Sequence, residues 1–335
     1  AVDQYGNVYV TGYVEADVAQ RYNYATVKYR PNGDTAWVRT YNGTGSDEDR
    51  AYAIAVDDDG NVFITGASWG IYYDDYATVK YDSNGVEQWV ARYNGTSNSY
   101  DKAFDLALDY GGNVYVTGYS GGTDGNNDFC TIKYNSEGGE VWVARYNGPG
   151  NLVDIALGLT RDIAGNIYVT GYSVNPPSPY ISTTDLVTVK YTAMGMEQWV
   201  NRYDGPGAND DQGTVITADQ DGNVFVVGKT EYYGQQNESD VLTLKYATSI
   251  GLEEGLVISG MSVFPNPSDE IIFISSKEKI ECIDIYNMIG EKACSRTTQY
   301  TLNNYPIDLS DLKSGIYFLR INDGIKPYQQ KIIIM

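Results

Sequence analysis

Apolar and polar side chains alternate in short segments, and the same order of segments returns every 52 to 57 residues. Each period predicts four strands, which in the second period cover residues 51–56, 61–65, 76–81 and 88–93. The most regular segment is Gly-Asn-(Val/Ile)-(Tyr/Phe)-(Val/Ile)-(Thr/Val)-Gly, with copies beginning at Gly6, Gly60, Gly112, Gly165 and Gly222. A period of about 50 residues made of short strands is typical of one propeller blade, because a blade buries its faces only against neighbouring blades.

The first predicted strand of each period carries small and large side chains on opposite faces. In the second period Ala51, Ala53 and Ala55 would share one face, with Tyr52 and Ile54 on the other. Small residues are expected on an innermost strand, because the blades converge there and leave little room. The first strand of each period is therefore predicted to be the inner one.

An Asp-x-x-Gly-Asn pattern separates the first and second strands of each period. Its aspartates are Asp3, Asp57, Asp109, Asp162 and Asp219. Gly and Asn favour the positive φ of a tight hairpin, and the Asp can accept hydrogen bonds from the amides of the turn. The pattern therefore predicts a hairpin between these strands.

Three further residue types recur in register with the strands. They are the acids Asp49, Asp101, Asp154 and Asp211, the lysines Lys28, Lys80, Lys133, Lys190 and Lys245, and the tryptophans Trp37, Trp89, Trp142 and Trp199. A catalytic residue is needed once, whereas a residue that holds a blade is needed in every stacked unit. We therefore predict that these residues stabilise blades or blade junctions.

The repeats occupy residues 1–247, in units that begin near residues 1, 49, 101, 154 and 211. A change in composition predicts a linker at 248–261 and a second domain at 262–335. The predicted fold class is all-β: a β-propeller of five visible repeats with four-stranded blades, followed by a small immunoglobulin-like β-sandwich. The first unit begins inside its first strand and the fifth stops before a Trp-containing strand. We therefore expect an N-terminally truncated propeller with a Trp-bearing strand upstream.

Composition excludes several classes of partner and chemistry. The 23 Lys and Arg against 44 Asp and Glu give a net charge of −21, which disfavours binding to nucleic acid or to an anionic membrane surface. No apolar run is long enough to span a bilayer, and no signal peptide is present in this chain. The absence of histidine excludes Ser-His-Asp, Cys-His and His-zinc sites.

The three cysteines have different expected roles. Cys130 stands where other repeats have Ala25, Ala77, Val187 and Leu242, so we expect a small core residue. Cys282 and Cys294 flank a predicted turn and could face each other across a hairpin. Whether they form a disulfide stays open at this point.

Two of the repeated turns resemble a calcium loop, with acids at Asp57 and Asp59 and at Asp219 and Asp221. The other repeats have Tyr5, Gly111 or Ala164 in place of the second acid, and no glutamate follows at the required spacing. A hairpin turn is therefore favoured over a metal site. We expect no cofactor, and calcium is kept as the weaker alternative.

Aromatic residues lie in the segments predicted to connect the second and third strands, at residues 13–23, 67–74, 119–127, 172–184 and 229–239. They are Trp69, Tyr72, Tyr73, Tyr119, Tyr172, Tyr180, Tyr232 and Tyr233. These segments belong to one rim of the propeller, where loops vary and collect function. Flat aromatic rings beside polar groups suit sugar rings. The interpretation that the sequence favours, however, is that tyrosine, present 32 times, only covers the blade edges here.

The repeat Asp-x-x-Gly-Asn-Val-Tyr-Val-Thr-Gly, followed by Asp-Tyr-Ala-Thr-Val-Lys-Tyr, resembles the SBBP family of bacterial β-propeller repeats over residues 1–247. The resemblance implies a propeller, and the family name suggests seven blades where five are visible here. It also implies an exported protein of undefined ligand.

Residues 262–335 resemble the C-terminal sorting domain of type IX secretion cargo. The resemblance rests on a Val-Phe-Pro-Asn-Pro-Ser segment, an Ile-Tyr-Asn-Met-Ile-Gly segment and a Ser-Gly-Ile-Tyr segment, whose marker residues are Pro265, Asn266, Pro267, Gly290 and Gly315. It implies recognition by the type IX translocon and its sorting protease, and a secreted or cell-surface protein of a Gram-negative bacterium. The alternative is an ordinary terminal β domain that packs on the propeller.

The sequence predicts no catalytic residue and favours a non-enzymatic exported module that mediates adhesion, glycan contact or protein contact. The runner-up is a propeller glycosidase or polysaccharide lyase, because that chemistry needs only a pair of carboxylates. Most of the acids recur in every unit, and Glu231 has no identifiable acidic partner in the sequence.

Overall fold

The computed structural model describes the chain except for residues 17–20, 46, 176–182, 206–208, 232–238, 247–260, 265–270, 277–278, 288–290, 298–304, 323–326 and 335. The described residues form β-strands and contain no helix. They divide into two compact units, Ala1–Thr248 and Ser249–Met335. The all-β architecture with a propeller followed by a small β domain is confirmed.

The first unit contains five antiparallel sheets that follow one another along the chain, and each corresponds to one predicted blade. The first sheet consists of β1 (Val8–Glu15), β2 (Tyr22–Tyr29) and β3 (Thr35–Tyr41). The second consists of β4 (Asp49–Val56), β5 (Val62–Trp69), β6 (Asp74–Tyr81) and β7 (Glu87–Tyr93). The third consists of β8 (Asp101–Leu108), β9 (Val114–Gly121), β10 (Asn127–Tyr134) and β11 (Glu140–Tyr146).

The fourth and fifth sheets repeat the same order of strands. The fourth consists of β12 (Asp154–Arg161), β13 (Ile167–Val174), β14 (Thr184–Tyr191) and β15 (Glu197–Tyr203). The fifth consists of β16 (Asp211–Ala218), β17 (Val224–Glu231) and β18 (Ser239–Tyr246). The strands β4, β8, β12 and β16 contact one another from sheet to sheet, so the first strand of each period is the inner one, as predicted.

The second strands are longer than the sequence indicates. The sequence predicts that β5 ends near Thr65, but it continues to Trp69, which pairs with Asp74 at the start of β6. The corresponding strands of the third and fourth sheets end at Gly121 and Val174. Three residues expected in loops, Trp69, Tyr119 and Tyr172, therefore lie within strands, because the ladder continues past the apolar segment that the sequence makes visible.

The inner strands do not alternate regularly. A β-bulge at Tyr52 shifts the register between Ala51 and Ala53, so the expected placement of three alanines on one face is wrong. The same bulge occurs at Phe104, Leu157 and Thr214 in the other inner strands. A bulge re-aims the extra side chain and increases the local twist. Each of these four inner strands therefore presents one additional side chain, at the bulge.

Neighbouring blades pack an aromatic face onto an aliphatic face. Between the first two blades, Tyr9, Tyr24 and Trp37 share one buried cluster with Val62 and Val79. At three of the junctions the indole Nε1 donates to a backbone carbonyl of the next blade: Trp37 to Ser83 (3.2 Å), Trp89 to Ser136 (3.0 Å) and Trp142 to Ala193 (3.2 Å). The repeated tryptophans therefore hold blade junctions.

The repeated acids of the inner strands are buried. Asp49, Asp101, Asp154 and Asp211 each accept a hydrogen bond from a glycine amide in the preceding loop, at 2.6–2.8 Å. Burial raises the pKa of all four carboxyls, and these hydrogen bonds oppose the rise. Because the folded-state pKa is raised, the stability that these groups contribute is fully present at low pH and is lost as the pH rises through that pKa.

Three of these buried acids each have an arginine guanidinium nearby. The first of these arginines, Arg92, joins two blades. Arg92 donates to Tyr41 Oη of the first blade at 3.1 Å and, within the second blade, to Ser68 Oγ at 2.6 Å and Asp75 Oδ2 at 2.9 Å. Arg145 and Arg202 make the equivalent contacts with Ser120 and Asp128, and with Ser173 and Asp185. We call these the arginine networks.

The Asp-x-x-Gly-Asn segments form the predicted hairpin turns. The turn glycine has a positive φ in every copy, 78° at Gly60 for example, whereas the following Asn does not. At Asp109 the carboxylate accepts the amides of Gly111 and Asn113, the Asn113 side chain and the Tyr115 hydroxyl, at 2.8–3.1 Å. The turn therefore closes around a charged acceptor.

The replacement Asp109→Ala should lower the free energy of unfolding by about 1.5 kcal/mol at neutral pH, because several donors lose a charged acceptor. Burial raises the pKa of Asp109, but the hydrogen bonds more than offset it, so the pKa lies below its ordinary value of 3.8. The stability is therefore present above that value and is lost as the pH falls below it. Chemical denaturation at pH 7 and pH 3 measures this loss.

The control for this prediction is Asp59→Ala, which removes an exposed acid from the equivalent turn of the second blade. Its effect should stay within about 0.5 kcal/mol. Equal destabilisation by the two variants at pH 7, or an Asp109→Ala effect that does not shrink at pH 3, would contradict the charged-acceptor account.

The second unit contains two antiparallel sheets with a shared apolar core. The first sheet consists of β19 (Met261–Phe264), β20 (Ile271–Ser276) and β23 (Tyr305–Asp308). The second consists of β21 (Cys282–Asn287), β22 (Lys292–Thr297), β24 (Gly315–Asn322) and β25 (Pro327–Ile334). Ile272 and Ile307 of one sheet pack with Ile283, Leu319 and Ile332 of the other. This arrangement is the expected small sandwich.

Cys282 and Cys294 do not face each other across the β21–β22 hairpin. Cys282 pairs with Thr297, and Cys294 pairs with Ile285, so the two cysteines lie three positions apart along the ladder. That separation corresponds to about 10 Å, beyond the reach of a disulfide. Both cysteines are free, which removes the disulfide alternative, and Cys130 is a fully buried core residue, as predicted.

Among the sorting-motif residues, Gly315 begins β24, whereas Pro265, Asn266, Pro267 and Gly290 lie outside the described residues. Within the part of the chain that the structure describes, no helix could cross a membrane.

Candidate functional site

The ends of the second strands, the starts of the first strands and the loops beside them form one rim of the propeller unit, which we call the loop rim. In the turn between β5 and β6, Tyr72 is 72% exposed and Tyr73 is 41% exposed. Trp69, Tyr119 and Tyr172 are half-buried within strands at the same rim. The remaining predicted aromatics, Tyr180, Tyr232 and Tyr233, lie outside the described residues.

Aromatic rings from the second and third blades meet at this rim. Tyr73 contacts Tyr100, with ring centroids 4.9 Å apart and planes at 64°. Tyr52, the bulged residue of β4, lies 5.5 Å from Phe104, the bulged residue of β8, and Phe104 lies 5.8 Å from Tyr119. Edge-on and tilted pairs of this kind are favourable arrangements of aromatic rings.

An ion pair lies between these rings. Lys102 Nζ contacts Asp74 Oδ2 at 3.0 Å and lies 5.8 Å from the centre of the Tyr100 ring. The Asp74 carboxylate is largely buried, and the Lys102 side chain is partly exposed. We call the seven residues together the rim cluster: Tyr52, Tyr73, Asp74, Tyr100, Lys102, Phe104 and Tyr119.

The positive charge of Lys102 and the negative charge of Asp74 compensate each other in the rim cluster at neutral pH. Burial favours the neutral form of Lys102, but the hydrogen bond and the charge of Asp74 outweigh it, so the pKa of the ammonium is raised. Burial raises the pKa of Tyr119, which the nearby ammonium only partly opposes, so the phenol keeps its proton. The site therefore offers one compensated cation, one compensated anion and phenol hydroxyls.

The positions of the rim cluster differ from blade to blade. Arg50, Ile155 and Gln212 occupy the position of Lys102 in the other inner strands, and Tyr22, Asn127, Thr184 and Ser239 occupy the position of Asp74. The junction tryptophans, in contrast, recur in four blades and the turn aspartates in all five. A side chain that is needed to build a blade recurs in each blade, so the rim cluster is not part of the common scaffold.

The aromatic surface continues toward the first blade. Tyr13 and Tyr22 pair with ring centroids 5.2 Å apart, and the Arg50 guanidinium lies within 5.5 Å of both ring centres. Arg50 also forms an ion pair with Glu48 at 2.7 Å. The second cation of this rim is therefore also compensated by a carboxylate.

The sequence indicates only part of this site. Tyr73 and Tyr119 are predicted, whereas Tyr52, Asp74, Tyr100, Lys102 and Phe104 are not, because they lie on inner strands, at strand ends or in the loop before β8. Aligning the five repeats provides the missing signal, since these positions break the repeat pattern.

Asp74 and Asp105 are among the carboxylates near the inner strands that do not recur in the other blades, and both have partners. Asp74 is paired with Lys102, and Asp105 accepts the amides of Leu106 and Leu159, each at 2.8 Å. Asp105 therefore bridges the third and fourth blades, and burial raises its pKa. Neither carboxylate faces a second acid among the described contacts.

The calcium candidates occupy hairpin turns. Asp57 accepts the amides of Asp59 and Asn61 and the Asn61 side chain, and Asp219 makes the equivalent contacts with Asn223. Among the residues whose placement is described, no group of three or more acids and cysteines is arranged to hold a metal ion.

A depression of about 360 Å³ lies at the junction of the first two blades, beside the turn between β6 and β7. Its lining includes Lys28, Trp37 and Ser83, which form the repeated cross-blade contacts. We therefore interpret this depression as part of the blade junction and not as a ligand site.

Family models match both parts of the chain. A model described as a beta-propeller repeat (SBBP) matches residues 39–73, 141–175 and 198–231. A model described as a secretion system C-terminal sorting domain matches residues 262–335. No curated protein matches the chain.

Several solved structures are similar to the chain. The Penicillium chrysogenum alpha-L-arabinanase is 9% identical with a TM-score of 0.47, and the match covers 99% of this chain and 91% of that one. The Pseudomonas aeruginosa periplasmic gluconolactonase is 9% identical, with a TM-score of 0.41 and coverage of 98% and 97%. The β-propeller domain of the Trilobed protease from Pyrococcus furiosus is 7% identical, with a TM-score of 0.39 and coverage of 98% and 92%.

The fold and the matched segments agree on the organisation of the molecule. The repeat model covers the last strand of one blade and the first two strands of the next, in three places. The sorting model covers the described strands of the small sandwich. The chain therefore carries SBBP β-propeller repeats and ends in a type IX secretion C-terminal sorting domain, which marks it for export to the cell surface or the medium.

Proposed function

We propose that this exported propeller is a non-enzymatic binding module whose loop rim binds saccharides. The observation that carries the proposal is the rim cluster, a group of exposed and half-buried rings around an ion pair at positions that the blade scaffold does not require. Function concentrates on such variable positions of a rigid repeat framework.

The composition of the rim cluster suits sugar rings. The exposed faces of Tyr73 and Tyr100 can stack on the apolar face of a pyranose. The Lys102 ammonium and the tyrosine hydroxyls can donate to sugar hydroxyls, and the Asp74 carboxylate fixes the position of the ammonium. A few polar groups among aromatic faces are the usual content of a ligand site.

The partners of the carboxylates support binding over hydrolysis. Glycosidases use two carboxyl groups about 5–10 Å apart, one of which donates a proton. Asp74 is held by an ammonium and Asp105 by two backbone amides, so each is already engaged. The alternative function, a propeller glycosidase or polysaccharide lyase, is retained as an outcome of the test below.

The test is a polysaccharide and glycan array probed with the full chain, with and without calcium, followed by product analysis on each bound glycan. We expect binding that does not depend on calcium and leaves the glycan intact. Release of shorter products would replace the proposal by the glycosidase or lyase function. Failure of the folded chain to bind any glycan would overturn saccharide binding and favour a protein partner.

We also propose that residues 262–335 engage the type IX translocon and its sorting protease, which removes them and leaves the propeller at the cell surface. Expression behind an inner-membrane signal peptide in a bacterium with this secretion system tests the proposal. The intact chain should reach the surface in a shortened form, whereas a chain without residues 262–335 should stay in the periplasm. Surface delivery of the shortened gene product would contradict it.

A further inference from the structure

We propose that the Asp74–Lys102 pair makes the rim cluster selective for neutral saccharides and against uronate-containing ones. The inference rests on the proposed function and adds the substrate class and the residue that determines it. It follows from how the cation of the rim cluster is compensated.

The cation of the rim cluster, Lys102, has its own carboxylate. Its Nζ contacts Asp74 Oδ2 at 3.0 Å. An anionic sugar would have to compete with a carboxylate that is already in contact with the cation and cannot diffuse away. A neutral sugar only needs a donor, which the ammonium still provides through its remaining hydrogens.

The charge of the whole chain acts in the same direction. The net charge is −21, so an approaching polyanion is repelled at long range. At short range, the Asp74 carboxylate lies largely buried beneath the same ammonium, where charge interactions are screened less than at the surface. Removing that one carboxylate would leave Lys102 as an uncompensated cation among aromatic rings.

Asp74 is not required for the blade itself. The equivalent residues of the other blades are Tyr22, Asn127, Thr184 and Ser239, all of them neutral. Its partner also differs, since Ile155 and Gln212 stand in the place of Lys102 in two other blades. The pair is therefore specific to this site, and an asparagine at position 74 is already compatible with the strand, as Asn127 shows in the third blade.

The experiment compares the full chain with Asp74→Asn on two oligosaccharides of equal length, one neutral and one built of uronic acid. Affinities are measured at low and at high salt. The unaltered chain should prefer the neutral ligand by about tenfold, with little dependence on salt. Asp74→Asn should bind the uronate at least about fivefold more tightly than the unaltered chain does, and salt should abolish this gain.

Two controls locate the effect. Adding Lys102→Met to Asp74→Asn should remove the gain, because no free cation is left. Glu48→Gln, which frees Arg50 beside the neighbouring tyrosines, should change uronate binding by less than about twofold, because Arg50 lies outside the rim cluster. Unchanged thermal unfolding of each variant confirms that the propeller is intact.

The outcomes separate this inference from the proposed function. An unaltered chain that prefers the uronate, or an Asp74→Asn chain with unchanged uronate affinity, overturns the inference while saccharide binding stands. Absence of binding to both ligands and to the glycan array overturns the proposed function. A gain produced equally by Glu48→Gln would assign the selectivity to net charge and would overturn the role of this pair.

Discussion

Replacing Arg92 by methionine should lower the free energy of unfolding of the propeller unit by about 3 kcal/mol. The guanidinium contacts Asp75 at 2.9 Å, Ser68 Oγ at 2.6 Å and Tyr41 Oη at 3.1 Å, and both members of the ion pair are largely shielded from water. Methionine keeps the apolar bulk but leaves a shielded carboxylate without its cation, which is the expensive part of breaking such a pair.

Chemical denaturation of the full chain measures this loss. The matched control is Lys229→Met, which breaks an ion pair whose two side chains are about 40% exposed and should change stability by less than about 1 kcal/mol. Adding Asp75→Asn to Arg92→Met should recover part of the loss, because the uncompensated charge disappears. Equal effects of the two methionine variants would show that the arginine network adds nothing beyond a surface ion pair.

Replacing Tyr100 by alanine should weaken saccharide binding by about 30-fold. The ring is 42% exposed, pairs edge-on with Tyr73 and borders the Lys102 ammonium, so its loss removes a stacking surface and loosens both neighbours. Loss of one central aromatic contact of this kind is worth about 2 kcal/mol, which corresponds to the stated change in affinity. Titration of the glycan found in the array measures the effect.

Tyr110 provides the matched control. It is 91% exposed, but it lies in the turn between β8 and β9, at the end of these strands opposite the loop rim. Tyr110→Ala should leave the affinity within about twofold, because the residue is remote from the rim cluster. A comparable loss in the two variants would mean that saccharides bind exposed tyrosines without a defined site, and the proposed location would be wrong.

The sequence predicts the repeated features of the propeller well because each is supported by four or five copies. The hairpin turns, the inner position of the first strand and the junction role of the tryptophans all depend on contacts within a blade or with the next blade. The arginine networks recur as well, at Arg92, Arg145 and Arg202, but the sequence does not reveal them, because their partners come from three different strands.

The candidate site was predicted only in part, for a different physical reason. Tyr73 and Tyr119 lie near an obvious loop, whereas Tyr52 and Phe104 reach the rim through bulges, and no local pattern in the sequence marks a bulge. Asp74 and Lys102 belong to different blades and are 28 positions apart in the sequence. Their contact depends on how one blade is rotated against the next.

The sequence alone determined the period, the four-stranded blades, the turn chemistry and the two-part organisation with a sorting domain. These follow from local propensity and from side-chain periodicity, which act over a few residues and are repeated along the chain. Only the tertiary structure decided the register of the β21–β22 hairpin, which separates Cys282 from Cys294, and the meeting of rings and charges at the loop rim. Such contacts depend on bulges and on packing between blades, and neither is encoded in any single short segment.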